Sequence, residues 1–469
     1  MAGTASLGVR RTLARRSGTP WWRRPLPGGW PLVALYAGFP LWWLAGFSVL
    51  GFFLACVPMA LYLLRRRTVL VPRGFGVWLL FLVWVLAGVA TLWATPPDAM
   101  PVSGASRLLP YGYRVLWYLT ATVFLLYVGN TDERELPTRR VYDVLGWMFL
   151  VTVAGGYLGA LVPGFDMASP LELALPAALA RNDFLVSLIH PASAQVQAFL
   201  GFEAARPKAP YLYANEWGAN YGLLLPFFLL SWGGRAAAPW RRRAMPFLLL
   251  LAVPPAILSL NRGLWLGVIA AAAYVAVRLA LQGRLVAIAG VLATAALVAG
   301  VLVLSPLGTL LQERLATPHS NQGRGQLATM TVENTVASPI VGYGTSRQVR
   351  GNFFSIAGGA TAECPRCSPP QMGTQGHLWF LLLAHGFVGA ALFIGFFGLR
   401  YARALRDGSL EAILLTSTGV YLAVVIWVYD LLAAPIAVLA VTLALLWRRE
   451  RALALTAAPV PAPRGDGSG

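Results

Sequence analysis

The run MPFLLLLAVPPAILSLNRGLWLGVIAAAAYVAV, residues 245–277, is apolar on both sides of Asn261-Arg262-Gly263, and Arg262 is its only charge. An arginine at the centre of a bilayer costs about 2.5–3.5 kcal/mol on insertion scales and much less near an interface. The stretch therefore reads as a hairpin of two membrane spans, 245–260 and 264–280, with Arg262 near the turn.

The rest of the chain repeats the pattern. Apolar runs fall at 30–46, 47–64, 74–94, 112–129, 141–162, 219–233, 245–260, 264–280, 285–304, 377–399, 411–428 and 431–447. Of the 469 residues 57% are hydrophobic and only 12% charged, where a soluble protein carries roughly one quarter charged residues. No alternation of strand-length segments recurs, which argues against a membrane barrel. The fold expected is an all-α polytopic membrane protein with about 12 transmembrane helices.

A net charge of +19 invites a nucleic-acid partner, but its distribution speaks against one. The basic residues stand in short blocks between apolar runs, as the positive-inside rule produces. Threading twelve spans from a cytoplasmic N-terminus puts most of these blocks inside, including Arg65 to Arg67, Arg139, Arg140 and Arg241 to Arg243. The organisation expected is a basic cytoplasmic tail (1–29), N-terminal spans (30–162), an outer loop (163–218), central spans (219–304), a second outer loop (305–376), C-terminal spans (377–447) and a disordered cytoplasmic tail (448–469). The N-terminus lacks a small-residue cleavage site and is read as retained.

The two outer loops, expected to form a cap, are too long to be plain connectors, and chemistry is expected there. The first contains an amphipathic stretch, Leu171 to Ile189, suited to lying along a membrane surface. It ends in Arg206-Pro207-Lys208, with the only lysine of the chain, followed by Asn215-Glu216-Trp217. Glu216 at the loop-to-span boundary is a candidate general base if desolvated, or an ion-pair partner of Arg206 or Lys208. The second loop carries Arg324, then Gly342 and Gly344 in turn-like positions.

Further on, Gly373-Thr374-Gln375-Gly376-His377 leads into an apolar run that also holds His385. His377 is a candidate base at the outer face or an interfacial anchor, and His385 reads as a buried histidine. Cys364 and Cys367 form a lone CxxC that suits a loop disulfide, and Cys56 reads as core packing. On the outer face Arg262 is a candidate anion ligand or a snorkelling anchor. Gly263 beside it permits close backbone approach. No metal-binding or nucleotide-binding motif occurs, so the chemistry is expected to use a donor already in the membrane, without a cofactor.

With these residues in hand, the chain resembles the O-antigen ligase and polymerase superfamily of bacterial membrane glycosyltransferases, of the membrane glycosyltransferase C type. LSLNRGLWLG (258–267) is similar to that family's Arg-Gly motif opening a span, and RPKAPYLYANEWGANYGLLLP (206–226) to its Arg…Asn segment. GRGQLATMTVENTVASPIVGYG (323–344) is similar to its Arg-bearing helix and Gly-x-Gly turn, and GTQGHLWFLLLAHGFVG (373–389) to its histidine segment. The resemblance covers roughly 200–400. It implies a glycan donor on undecaprenyl diphosphate, a lipid- or polymer-bound acceptor hydroxyl, an active site on the outer face of a bacterial cytoplasmic membrane, and membrane lipids as surroundings. It also implies that Arg206, Arg262 and Arg324 hold the donor diphosphate, without a metal.

One position departs from the family. Counting back from Gly386, Gln375 stands where the catalytic histidine is expected, and His377 lies two residues on. On a helix that offset turns a side chain by about 200°. Three alternatives follow: His377 reaches the site from an irregular loop, Glu216 is the base, or the chemistry is altered. Ligase and polymerase share these motifs. A transporter of lipid-linked glycan is the rival of another class, disfavoured by the absence of a visible repeat.

Overall fold

A computed structural model describes residues 27–197, 204–234 and 236–285, scattered positions within 289–312, and residues 319–350 and 371–457. It is mostly helical. Three of its helices are long and apolar enough to cross a membrane: Thr138–Leu161, Arg262–Ala280 and His377–Ala404. Leu50–Leu64, Phe75–Thr91 and Leu410–Val425 are shorter apolar helices. Leu108–Asn130, Ala214–Gly233, Pro239–Leu258 and Ala434–Ala457 have comparable length and include charged residues such as Arg114, Glu216, Arg241 and Arg448.

The first apolar run breaks into two short helices, Trp30–Ala37 and Phe39–Leu44, ahead of Leu50–Leu64. Gly38-Phe39-Pro40 explains the break, since a proline early in a helix lacks the N–H that would continue the preceding one. The stretch expected to be amphipathic is likewise three short pieces, Pro170–Leu173, Ala177–Ala180 and Asp183–Ile189. Pro176 and Asn182 occupy the N-cap positions of the second and third.

Packing pairs helices distant in sequence. Ala214–Gly233 lies on Thr138–Leu161, Ala434–Ala457 on Leu108–Asn130, Arg262–Ala280 on Leu410–Val425, and His377–Ala404 on Phe75–Ala87. Aromatic rings fill the centre: Trp78 and Phe396 stand 5.1 Å apart and Phe81 meets Tyr118 edge-on at 4.9 Å. Such pairs add about 0.5–1.5 kcal/mol each beyond their buried area. Leu54, Leu80, Val83, Leu266 and Ile269 point outward and exposed, as side chains facing lipid do.

One end of the bundle is held by ion pairs. Arg139 and Arg241 both meet Asp143, Arg66 meets Asp132, Arg400 lies 2.8 Å from Glu450, and Arg449 pairs with Asp407 and Glu411. The basic blocks assigned to one membrane side thus have counter-charges of their own.

Backbone insertion shapes the other end. Inside His377–Ala404, Gly386 adopts φ 65°, ψ −174°, a region open essentially to glycine alone. The 338–344 segment docks at this break: Phe387 N donates to Pro339 O, Tyr343 N to Leu383 O and Gly344 N to Ala384 O, all at 2.8 Å. Gly342 and Gly344 have φ of 66° and 74°, so the turn reading of both glycines holds. Two short antiparallel strand pairs flank this end, Ala194–Gln197 with Ala204–Pro207 and Arg347–Gln348 with Gln371–Met372.

Candidate functional site

A cavity of about 700 Å³ opens between these strand pairs and the helix ends. Its wall includes Arg107, Arg114, Arg206, Arg324 and Arg347, against the carboxylates of Glu216 and Asp430. A concave site of that size with a few convergent charges is the usual form of a small-ligand pocket, and its charge balance favours an anion over a cation.

Arg206 reaches the wall from the end of a strand. Its guanidinium donates to Ser259 O at 2.9 Å, to Asn215 Oδ1 at 3.0 Å and to Asn261 Oδ1. Asn261 in turn donates to Ala214 O at 2.8 Å. The turn Ser259–Asn261, with Leu260 at φ 55°, therefore fixes both the arginine and the start of the Ala214 helix. A guanidinium locked this way is pre-organised, because little side-chain freedom is left to lose on binding.

Arg262 opens the helix Arg262–Ala280 just past that turn. It is half-buried, stands outside the cavity lining and lies close enough to Arg324 for their charges to repel. A cation at a helix N-terminus adds to the positive end of the helix dipole, and Arg262 and Arg324 are near enough for each to act on the other's charge. Gly263 does permit close approach: a Cβ there would lie 2.5 Å from Val428 and 3.0 Å from the Tyr429 ring. Tyr429 also accepts the Leu264 amide at 2.8 Å.

The structure separates Gln375 from His377. Gln375 lines the cavity and donates from Nε2 to Gln371 O at 2.8 Å, while its Oε1 has no hydrogen-bond partner. His377 does not line the cavity. Its ring packs among Phe380, Phe393 and Tyr118, 4.9 Å from Phe393. Its link to the cavity is Asp430, whose Oδ1 lies 3.2 Å from His377 Nδ1. The expected interfacial or loop position of His377 gives way to a buried one because His377 begins a helix that enters the core.

Glu216 does line the cavity, yet its carboxylate accepts from Leu212 N at 3.2 Å and from Ala434 N at 3.3 Å. Among the described residues no ion pair joins it to Arg206 or Lys208. Asp430 is the more accessible carboxylate. Burial alone would raise its pKa, but the His377 hydrogen bond and the Arg114 charge hold it well below the usual carboxylate range.

Arg114, Asp430, Arg107 and Arg347 were not singled out by sequence as site residues. The signal for two of them was the one that found Arg262, a lone charge beside or within apolar runs: Arg114 in 112–129, Asp430 between 411–428 and 431–447. His385 is buried as expected, but neither ring nitrogen has a hydrogen-bond partner. Cys364 and Cys367 lie outside the described residues, and Cys56 packs half-buried against the core. No family model, curated protein or solved structure matches the chain.

Proposed function

We propose that the chain is an O-antigen ligase-like glycosyltransferase that moves a glycan from undecaprenyl diphosphate to an acceptor hydroxyl. The observation that carries this is the convergence of Arg206, Arg324, Gln375, Glu216 and Asp430 on one cavity, from segments up to 224 positions apart in sequence. Arg206 and Arg324 hold the donor diphosphate, with Arg262 raising the positive potential behind them; guanidiniums pair with phosphate oxygens through parallel N–H donors.

In this reading the acceptor oxygen attacks the anomeric carbon, the bond from that carbon to the diphosphate breaks, and the acceptor proton passes late, once bond formation has made the oxygen strongly acidic, to the Asp430 carboxylate, a weak base. The lipid diphosphate leaves as an anion stabilised by the arginines, which are placed before the charge develops. His377 orients Asp430 from behind. The reading takes twelve spans, both termini in the cytoplasm, and a cavity facing outward under the two long loops of a bacterial inner membrane. Polysaccharide polymerase is the same chemistry with a growing chain as acceptor.

The test is to mix purified full-length protein with an undecaprenyl-diphosphate-linked glycan and an acceptor glycolipid. Release of undecaprenyl diphosphate that depends on acceptor, and falls in Arg206→Gln and Arg324→Gln, is expected. Transport of the labelled lipid across vesicles without release would favour a transporter instead.

A further inference from the structure

Arg107 and Arg347 come from parts of the chain 240 positions apart and meet over the same two backbone oxygens. Arg107 Nη1 donates to Leu92 O at 2.6 Å and to Ala94 O at 3.3 Å. Arg347 Nη2 points at the same two carbonyls at 3.5 and 3.4 Å, and also donates to Tyr343 O. Both side chains are at least nine-tenths buried and both line the cavity. Among the described residues neither has a carboxylate within ion-pair distance.

Two like charges buried side by side are costly, and proteins normally supply a counter-ion. Here burial and the neighbouring Arg107 push the Arg347 pKa down to about 9. Unfilled hydrogen-bonding capacity accompanies the charge. Arg107 Nη2, Arg347 Nε and the hydroxyl of buried Thr345 have no partner. Arg114 is adjacent through Ser346, which its Nη2 meets at 3.3 Å, and its own Nη1 is unpartnered.

This cluster is distinct from the one around Arg206. Arg206 is anchored to Ser259, Asn215 and Asn261. Arg262 feels Arg324, and Arg347 feels Arg107. We infer that Arg107, Arg347 and Thr345 form a second oxyanion subsite in the cavity, for a phosphate or carboxylate carried by the second substrate. Assigning that anion to the acceptor rests on the glycan-transfer reading; the subsite itself does not. An acceptor with an acidic group would then be held by its charge while its hydroxyl meets the donor carbon, and a neutral acceptor would be refused because the arginine pair stays uncompensated.

The experiment titrates the full-length protein in nanodiscs with inorganic phosphate and, separately, with glucuronate, by calorimetry. Two classes of anion site are expected. Arg107→Gln and Arg347→Gln should each weaken one class by about 10-fold or more, as loss of a charge-assisted contact does, and Arg206→Gln should weaken the other. Arg107→Lys and Arg347→Lys, which keep the charge, guard against misfolding and should retain part of the binding. Which anion shows the Arg347 dependence names the group as phosphate or carboxylate. A single class of site, lost in Arg206→Gln and untouched by Arg107→Gln and Arg347→Gln, overturns the subsite. If both classes appear and acceptor-dependent release does not, the subsite stands and the transferase reading falls.

Discussion

His377 Nδ1 lies 3.2 Å from Asp430 Oδ1, and the two side chains face opposite surroundings, the histidine 0% exposed and the carboxylate 46%. The buried ring cannot touch a substrate in the cavity; the carboxylate can. If Asp430 receives the acceptor proton, Asp430→Asn should lower the transfer rate by roughly 10²–10⁴-fold, the usual weight of one acid–base group. His377→Asn should cost far less, about 10-fold, because it acts only by orienting Asp430. Single-turnover rates of both variants, with melting temperatures as a folding check, decide it. A folded His377→Asn as inactive as Asp430→Asn would return the role of base to the histidine.

Glu216 offers a contrast. Its two backbone hydrogen bonds, to Leu212 N and Ala434 N, tie the start of one helix to the loop before another. Glu216→Gln keeps one oxygen acceptor and leaves an amide donor in its place. We expect it to lower stability by about 1–3 kcal/mol, the cost of unsatisfied buried polar groups, while transfer falls no more than about 10-fold at a temperature where the variant is folded. Abolished transfer in a variant of unchanged melting temperature would make Glu216 the base.

Periodicity and charge report burial, so the part of the fold that burial sets is the part legible in the sequence. Apolar runs located the helices His377–Ala404 and Arg262–Ala280, because burial in lipid or core demands them. They did not foresee the break at Gly386, whose cause is the docking of Pro339 and Ile340 from another segment. A lone charge in an apolar setting points to Arg262, yet the structure puts Asp430 and Arg114, which carry the same signal and were passed over, on the cavity wall and Arg262 outside the lining. Gln375 lines the wall, while His377 turns inward with its helix. Arg107 and Arg347 carried no such mark, since each sits in a loop where an arginine is ordinarily solvated.

His190 provides a pH readout in the segment that follows the helix Thr138–Leu161. Its Nδ1 lies 2.7 Å from Glu172 Oε2 and its Nε2 contacts Asp166. Burial alone would lower the pKa, but the hydrogen bonds and charges of Asp166 and Glu172 outweigh it and raise it. Lys208 also acts on Asp166. A raised folded pKa means the cluster favours folding fully below about pH 6.5 and loses that contribution as pH climbs through the folded value. We expect thermal stability to decline by the equivalent of about 1 kcal/mol or less, given partial solvent exposure, on going from pH 6 to alkaline solution. His190→Gln should flatten that slope, and an identical slope in the variant would assign it to other groups.

Gly386 tests whether the docking of the 338–344 segment builds the cavity. A Cβ there would stand 2.5 Å from Ile340 O and 2.6 Å from Pro339 O, and the residue would have to hold a conformation costing about 1–3 kcal/mol for a side chain. Gly386→Ala should therefore push the segment off the helix and displace Arg347, Ser346 and Thr345, which follow it directly. Gly395→Ala, nine positions on in the same helix with nothing within 4 Å of its Cβ, should leave stability within about 0.5 kcal/mol of wild type or improve it. The informative measurement is anion binding at matched fold. Gly386→Ala should lose the Arg347-dependent class of sites and keep the Arg206-dependent class, because Arg206 is fixed by Ser259 and Asn261 instead. Equal loss of both would mean that the break at Gly386 holds the whole end of the bundle together and not one wall of the cavity.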